Sequence, residues 1–204
     1  MVEACRRTGW SADRFGPLRS EVCFGSTDLN QAAFGLSQDK SICSWYEDQA
    51  QTNPHVDHWW NTTVIVGHSQ GAGHALMLSQ HLAVAGVIMI AGPADAANGE
   101  LASWTSAASR TPNKKRLLLV HQQDGACREV LAHARQLDLS IKDVSQHQQG
   151  KIGGLAFVDT EIVPALSAHG CLAGRQTWSV ESERTRRIKQ LVHDHFIQWQ
   201  NTSD

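Results

Sequence analysis

The sequence lacks several features that would assign a chain of this size to another class. No apolar run reaches the roughly 18 residues of a membrane-spanning helix, and the N-terminal MVEACRRTGW contains no apolar signal core. Lysine and arginine total 18 against 20 acidic residues, a net charge of -2, and the short basic runs at 113–116 and 184–187 are expected to lie on solvated faces. We therefore expect a cytoplasmic protein with no membrane span and no nucleic-acid partner.

Paired cysteines are also lacking. The five cysteines are scattered and odd in number, with no CxxC pair: Cys5, Cys23, Cys43, Cys127 and Cys171. This pattern predicts unpaired thiols rather than a disulfide framework, a zinc site or a redox motif. The histidine pairs in HVDH (55–58) and HDH (193–195) lack a third ligand at a recognisable spacing. We therefore expect no metal and no cofactor.

The chain divides into two regions that differ in the pattern of their apolar residues. Its 204 residues, 41% of them hydrophobic, can bury one sizeable core. Residues 1–60 are polar and contain no run of four apolar residues, which predicts an irregular or helical N-terminal segment. Residues 61–204 have a regular rhythm and are predicted to form the core domain.

Apolar strands alternate with amphipathic helices in that core region. The predicted strands are 62–66, 86–93, 116–121 and 154–159. The predicted helices are 70–83, 100–108, 127–137 and 179–199. The last helix carries an apolar face formed by Ile188, Leu191, Val192, His195, Phe196 and Trp199. This alternation predicts an α/β fold with a mostly parallel sheet flanked by helices.

A Gly-x-Ser-x-Gly motif lies between the first strand and the first helix, in VIVGHSQGAGHA. This context predicts a nucleophile elbow, in which a strained backbone makes the Ser69 hydroxyl project from the turn. Strand and helix pass closely there, so side chains at Gly67 and Gly71 are expected to clash. The backbone N–H of Gln70, at the helix start, is available to a developing oxyanion.

On these residues the chain resembles the α/β-hydrolase family, in particular its esterase- and lipase-like members, over roughly residues 62–199. The resemblance implies a triad in the order nucleophile, acid, histidine, with Ser69 as the nucleophile. It also implies that the acid follows the second strand after the elbow. Asp124, just past its strand in LLLVHQQDGA, fits that position. Asp95, after the preceding strand, is the alternative acid.

The same order leaves five candidate bases downstream: His133, His147, His169, His193 and His195. His169 lies in a loop after the last strand and before the last helix, where family members hold the catalytic histidine. His133 lies within a predicted helix and His147 in a polar stretch. His195 falls on the apolar face of the last helix, so packing is the better interpretation of it and of His193.

The resemblance implies a serine hydrolase that cleaves small carboxylic esters through an acyl-enzyme intermediate without a cofactor. The chain departs from the family in its shortened N-terminal part, which has no HGGG-like motif to supply a second oxyanion donor. The alternative is a catalytically impaired hydrolase-like fragment or binding protein. The reduced sheet also predicts that strand 62–66 forms an edge, covered by Trp45, Trp59 and Trp60 or pairing with a second copy.

Overall fold

The computed structural model describes residues 63–81, 83–93, 109–146, 154–161, 168–172 and 182–201. Within these residues, five strands form one sheet: β1 Val64–His68, β2 Gly86–Ile90, β3 Arg116–His121, β4 Ser140–Asp143 and β5 Leu155–Asp159. The described α-helices are α1 Gln70–His81, α2 Cys127–Gln136 and α3 Glu183–Asn201. The strand order is β1-β2-β3-β5-β4, and every pairing is parallel. The predicted α/β class with a parallel sheet is confirmed.

The central strands are the most apolar segments of the chain. Every residue of β2 and of β3 is buried. Strands covered on both faces have continuous apolar sequences rather than alternating ones. This is why GVIMI and RLLLVH were predictable as strands from sequence alone.

The short edge strand β4 was missing from the sequence prediction. Its sequence is SIKD, none of its four residues is buried, and it pairs with β5. An edge strand needs little apolar surface, so it leaves no continuous hydrophobic run in the sequence. As a result β5 is not the edge of the sheet but lies between β3 and β4.

Helices cover both faces of the sheet. Alternate residues of the strands, such as Ile88 and Leu117, pack against α3 in one core cluster. The residues between them, such as Val87 and Leu118, pack against α1 and α2 in a second cluster. The apolar face predicted for the last helix is confirmed, since all six of its residues are fully buried.

Helix α3 begins later than predicted. Its first residue is Glu183 rather than residue 179, and Ser182 caps it by accepting a hydrogen bond of 3.0 Å from the Thr185 N–H. A serine at this position satisfies one of the backbone donors that a helix start leaves without a partner.

The two basic runs are not solvated faces throughout, which corrects the sequence prediction. Arg116 is 2% exposed, and its guanidinium donates to Asn113 Oδ1 at 2.8 Å and to Ser109 Oγ. Burial lowers the pKa of Arg116 to about 10, so the side chain stays cationic at neutral pH. In the second run, the Arg184 side chain is 10% exposed.

Several sequence predictions lie outside the described residues. They are the N-terminal segment 1–60, including the three tryptophans predicted to cover the edge strand, the helix 100–108, and the acid alternative Asp95. Among the described strands, β1 ends the sheet order, while the residues predicted to cover it are not among those described. No described helix combines the length and the apolar character needed to cross a membrane.

Candidate active site

Three polar residues meet at the carboxyl edge of the sheet. Ser69 follows β1, Asp124 follows β3, and His169 lies in the turn 168–172 beyond β5. Because all strands run parallel, the segments after them emerge at one edge, where ligands and reactive groups collect in α/β sheets. The topology therefore brings together side chains that are 45 and 100 positions apart in sequence.

Ser69 occupies a left-handed backbone conformation with φ of 54°. A non-glycine residue there costs about 1–3 kcal/mol, and the conformation persists only where surrounding contacts hold it. Two hydrogen bonds do so: the Ser69 N–H donates to Ile90 O at 2.8 Å, and its carbonyl accepts from the Ala72 N–H at 2.9 Å. The strained turn predicted at this position is thus present.

The two glycines of the motif have different roles. A Cβ on Gly67 would lie 1.9 Å from the Gly71 carbonyl oxygen, so a side chain there collides with backbone. A Cβ on Gly71 would meet no described atom within 4 Å. The expectation of a clash is confirmed at Gly67 and wrong at Gly71, where an added Cβ would point into open space.

His169 bridges the other two residues. Its Nδ1 lies 2.9 Å from Asp124 Oδ2, and its Nε2 lies 2.8 Å from Ser69 Oγ. An ionised carboxylate only accepts hydrogen bonds, so Nδ1 carries the proton and Nε2 accepts from the serine hydroxyl. In this tautomer the imidazole can take a proton from Ser69. The side chain is 47% exposed, which leaves the reacting face open.

Asp124 is held by its own loop. Its side chain is 2% exposed, and Oδ1 accepts from the Ala126 N–H at 3.0 Å, which leaves Oδ2 for the histidine. The Asp124 N–H donates to His121 O at 3.0 Å, at the end of β3. Burial, and then the charges of Asp124 and Glu129, raise the pKa of the neighbouring Cys127 thiol. That thiol stays protonated at neutral pH.

The other candidate bases that the structure describes have different partners. His133 Nδ1 donates to Pro93 O at 2.6 Å, and His195 Nδ1 donates to Leu191 O at 2.7 Å. The His195 ring lies edge-on to Trp199, with centroids 5.6 Å apart, as expected for a packing role. The ring of His193 approaches Asp194 at 3.7 Å. His147 lies outside the described residues.

Gln70 opens α1 directly after Ser69. The first backbone N–H groups of a helix have no acceptor within the helix, and they lie at its positive end. The Gln70 N–H thus lies at the positive end of α1, next to Ser69, and its role as an oxyanion donor stays a prediction. A second donor from the N-terminal part of the chain would lie outside the described residues.

A buried cluster beneath the His169 turn went unnoticed in the sequence. Ligand atoms of His121, Asp159 and Cys171 lie within 4.8 Å of one another. However, Arg184 Nε donates to Asp159 Oδ2 at 2.7 Å, which places a cation where a metal would bind. Burial raises the pKa of the Cys171 thiol. The cluster ties α3 and the turn to the end of β5 and does not offer a ready metal site.

Both ring nitrogens of His121 are also engaged within this cluster. Nδ1 accepts from the Gln123 N–H at 3.0 Å, and Nε2 donates to Glu161 O at 2.8 Å. No lone pair is left for a metal in this arrangement. No spacing motif links these residues, which explains why sequence reasoning missed the cluster.

His68 is a second neighbour that sequence reasoning passed over. Its order in the chain, before Ser69, removed it from the candidate bases. In the structure its Nε2 lies 2.9 Å from the His169 carbonyl oxygen, and the two rings are 5.1 Å apart. The sequence signal is only its place next to the serine.

Comparisons with known proteins add no functional assignment, so a proposal for the function must rest on this geometry. No family model, curated protein or solved structure matches the chain.

Proposed function

We propose that this protein is an α/β-hydrolase-like serine hydrolase that cleaves small carboxylic esters through an acyl-enzyme intermediate. The observation that carries the proposal is the continuous hydrogen-bonded line from Ser69 through His169 to Asp124, with contacts of 2.8 Å and 2.9 Å. This is the geometry by which a serine nucleophile, its base and an orienting acid are recognised.

The reaction begins when Ser69 Oγ attacks the ester carbonyl carbon while His169 Nε2 takes the hydroxyl proton. The carbonyl π bond breaks, and the resulting oxyanion faces the Gln70 N–H at the start of α1. His169 then gives its proton to the leaving alcohol as the ester C–O bond breaks, leaving an acyl-serine. Asp124 holds the ring in its reactive tautomer and stabilises the imidazolium.

Water completes the cycle. The oxygen of a water molecule attacks the acyl-serine carbonyl carbon while His169 takes a proton from that water. The proton then passes to Ser69 Oγ as the acyl–oxygen bond breaks and the carboxylic acid leaves. Every proton in this scheme moves through His169 Nε2, so the scheme needs no cofactor.

The strained serine supports the same proposal. A left-handed, non-glycine residue at a strand-to-helix turn is costly, and such strain clusters at reactive sites where it aims a side chain. Here it points the only described hydroxyl that contacts His169 Nε2 toward the open edge of the sheet.

The direct test is covalent labelling. Folded protein is incubated with a fluorophosphonate, and the modified peptide is mapped by mass spectrometry. Stoichiometric labelling at Ser69 is expected, with hydrolysis of p-nitrophenyl acetate that Ser69→Ala abolishes. Ser140→Ala, at an exposed serine on β4, is the control and is expected to match the wild type. Folded protein that neither labels nor hydrolyses the ester would instead favour the impaired, ligand-binding alternative.

A further inference from the structure

We propose that His68 is a positioning residue that holds the turn 168–172 in place, so that the His169 imidazole is presented to Ser69. The inference rests on the proposed function of the same site. It assigns a role to a residue that takes no proton from the substrate or the nucleophile.

The contact between the two histidines has a defined direction. A carbonyl oxygen only accepts hydrogen bonds, so at 2.9 Å from His169 O the His68 Nε2 must carry its proton and donate. The two rings are 5.1 Å apart and tilted by 50°. His68 therefore holds the backbone of the base and leaves both nitrogens of the His169 ring free for Asp124 and Ser69.

The chain connectivity turns this bond into a closed ring of contacts. His68 is the last residue of β1 and is peptide-bonded to Ser69. Ser69 Oγ contacts His169 Nε2, His169 O accepts from His68 Nε2, and the peptide bond closes the ring. The backbone of the base is thereby fixed to the strand that carries the nucleophile.

The restraint acts on the exposed part of the turn. Ala168, Cys171 and Leu172 are buried, at 3%, 8% and 2% exposure, and anchor the turn in the core on both sides of His169. The His169 side chain is 47% exposed and receives little packing of this kind. Positioning a base to within a fraction of an ångström governs the rate of proton transfer.

A matched pair of variants at His68 distinguishes the effect of losing the hydrogen-bond donor from the effect of losing the volume of the ring. Glutamine and methionine have similar length and volume, but only the glutamine amide keeps an N–H that reaches where His68 Nε2 lies. His68→Met is expected to lower kcat about 3- to 10-fold with little change in KM, the effect of one neutral hydrogen bond. His68→Gln is expected to restore most of the rate.

A double-mutant cycle tests whether the effect passes through the base. In a His169→Ala background, His68→Met is expected to cause no further loss of the residual rate, because there is no ring left to position. His193→Met and His193→Gln, at an exposed histidine of α3, are the matched controls and are expected to behave like the wild type.

A measurement independent of turnover separates this inference from the proposed function. In ¹⁵N-histidine-labelled protein, His68 is expected as the Nε2–H tautomer and His169 as the Nδ1–H tautomer. His68→Met is expected to shift the His169 ring signals, and His68→Gln to leave them near their wild-type positions. If the fluorophosphonate fails to modify Ser69 while the histidine spectra show this pattern, only the hydrolase proposal is refuted. Equal effects of Met and Gln on kcat and on the His169 signals would overturn the positioning role.

Discussion

The backbone of Ser69, with its left-handed φ of 54°, is packed closely against the segment that follows β2. A Cβ on Gly92 would lie 2.6 Å from the Ser69 carbonyl oxygen, so the segment after β2 passes directly against the turn. Ala91, beside it, also has a left-handed φ, of 51°. At Gly92 the approach is therefore too close for a side chain.

The proposed triad is expected to behave as one unit. Asp124→Ala and His169→Ala should each lower kcat for p-nitrophenyl acetate about 10³- to 10⁴-fold, because either change removes the oriented base. The double variant should be little worse than the His169 single variant. Steady-state kinetics with active-site titration measure this, and losses that multiply in the double variant would contradict it.

The two motif glycines should respond in opposite directions to the same substitution. Gly67→Ala places a methyl group against the Gly71 backbone and should lower the free energy of unfolding by about 3 kcal/mol. Gly71→Ala meets free space in the first turn of α1 and should raise it by up to about 1 kcal/mol, since alanine favours helix. Urea denaturation decides between this result and equal losses at the two positions.

Secondary-structure elements differed in how far sequence could predict them. The strands β2 and β3 were predictable because burial on both faces demands continuous apolar runs, and Asp124 was predictable as a polar residue just past such a strand. The SIKD edge strand was not, since half-exposed pairing leaves no hydrophobic signature. The burial of Arg184 was missed because its partner Asp159 lies 25 positions away. Arg116 is the first residue of the buried strand β3, and the basic run that precedes it concealed this placement.

The same limit applied within the site. Ser69 was predictable from its motif, and His169 was predictable from the triad order that the family resemblance implies. The contact of His68 with the His169 carbonyl joins residues 101 positions apart. Such a contact depends on how β1 and the turn 168–172 are placed, which no local pattern records.

Helix α3 is fastened to β5 by a buried ion pair. Arg184→Met leaves the Asp159 carboxylate, 2% exposed, without its cation, and should lower the free energy of unfolding by about 3 kcal/mol. Adding Asp159→Asn removes the stranded charge and should recover part of that loss. Thermal and urea denaturation measure both.

Arg187→Met is the matched control for that experiment. Arg187 pairs with Glu183 four residues earlier on the same helix, and both side chains are about half exposed. An exposed pair of this kind contributes less than about 0.5 kcal/mol. Equal losses of unfolding free energy for Arg184→Met and Arg187→Met would show that the buried pair stabilises the fold no more than the exposed one.

At the scale of the whole molecule, the sheet separates two apolar clusters and presents the polar site at its edge. One cluster joins the sheet to α3 and the other joins it to α1 and α2. The alternation of apolar strands and amphipathic helices predicted this layering, because parallel strands need helices on both faces. The division into an N-terminal segment and a core stays a prediction, since residues 1–60 lie outside the described residues.

Because the sheet is parallel, the site is expected to form late in folding, and its reactivity reports that step. Parallel neighbours cannot be joined by tight hairpins, and the contact between Ser69 and His169 spans 100 positions, so it forms only after long segments have found one another. Helices form within microseconds, while non-local contacts come later. During refolding from urea, fluorophosphonate reactivity at Ser69 should therefore return in the slowest phase, after the helical circular-dichroism signal. Reactivity that returns before that signal would show that the nucleophile is activated without the assembled sheet.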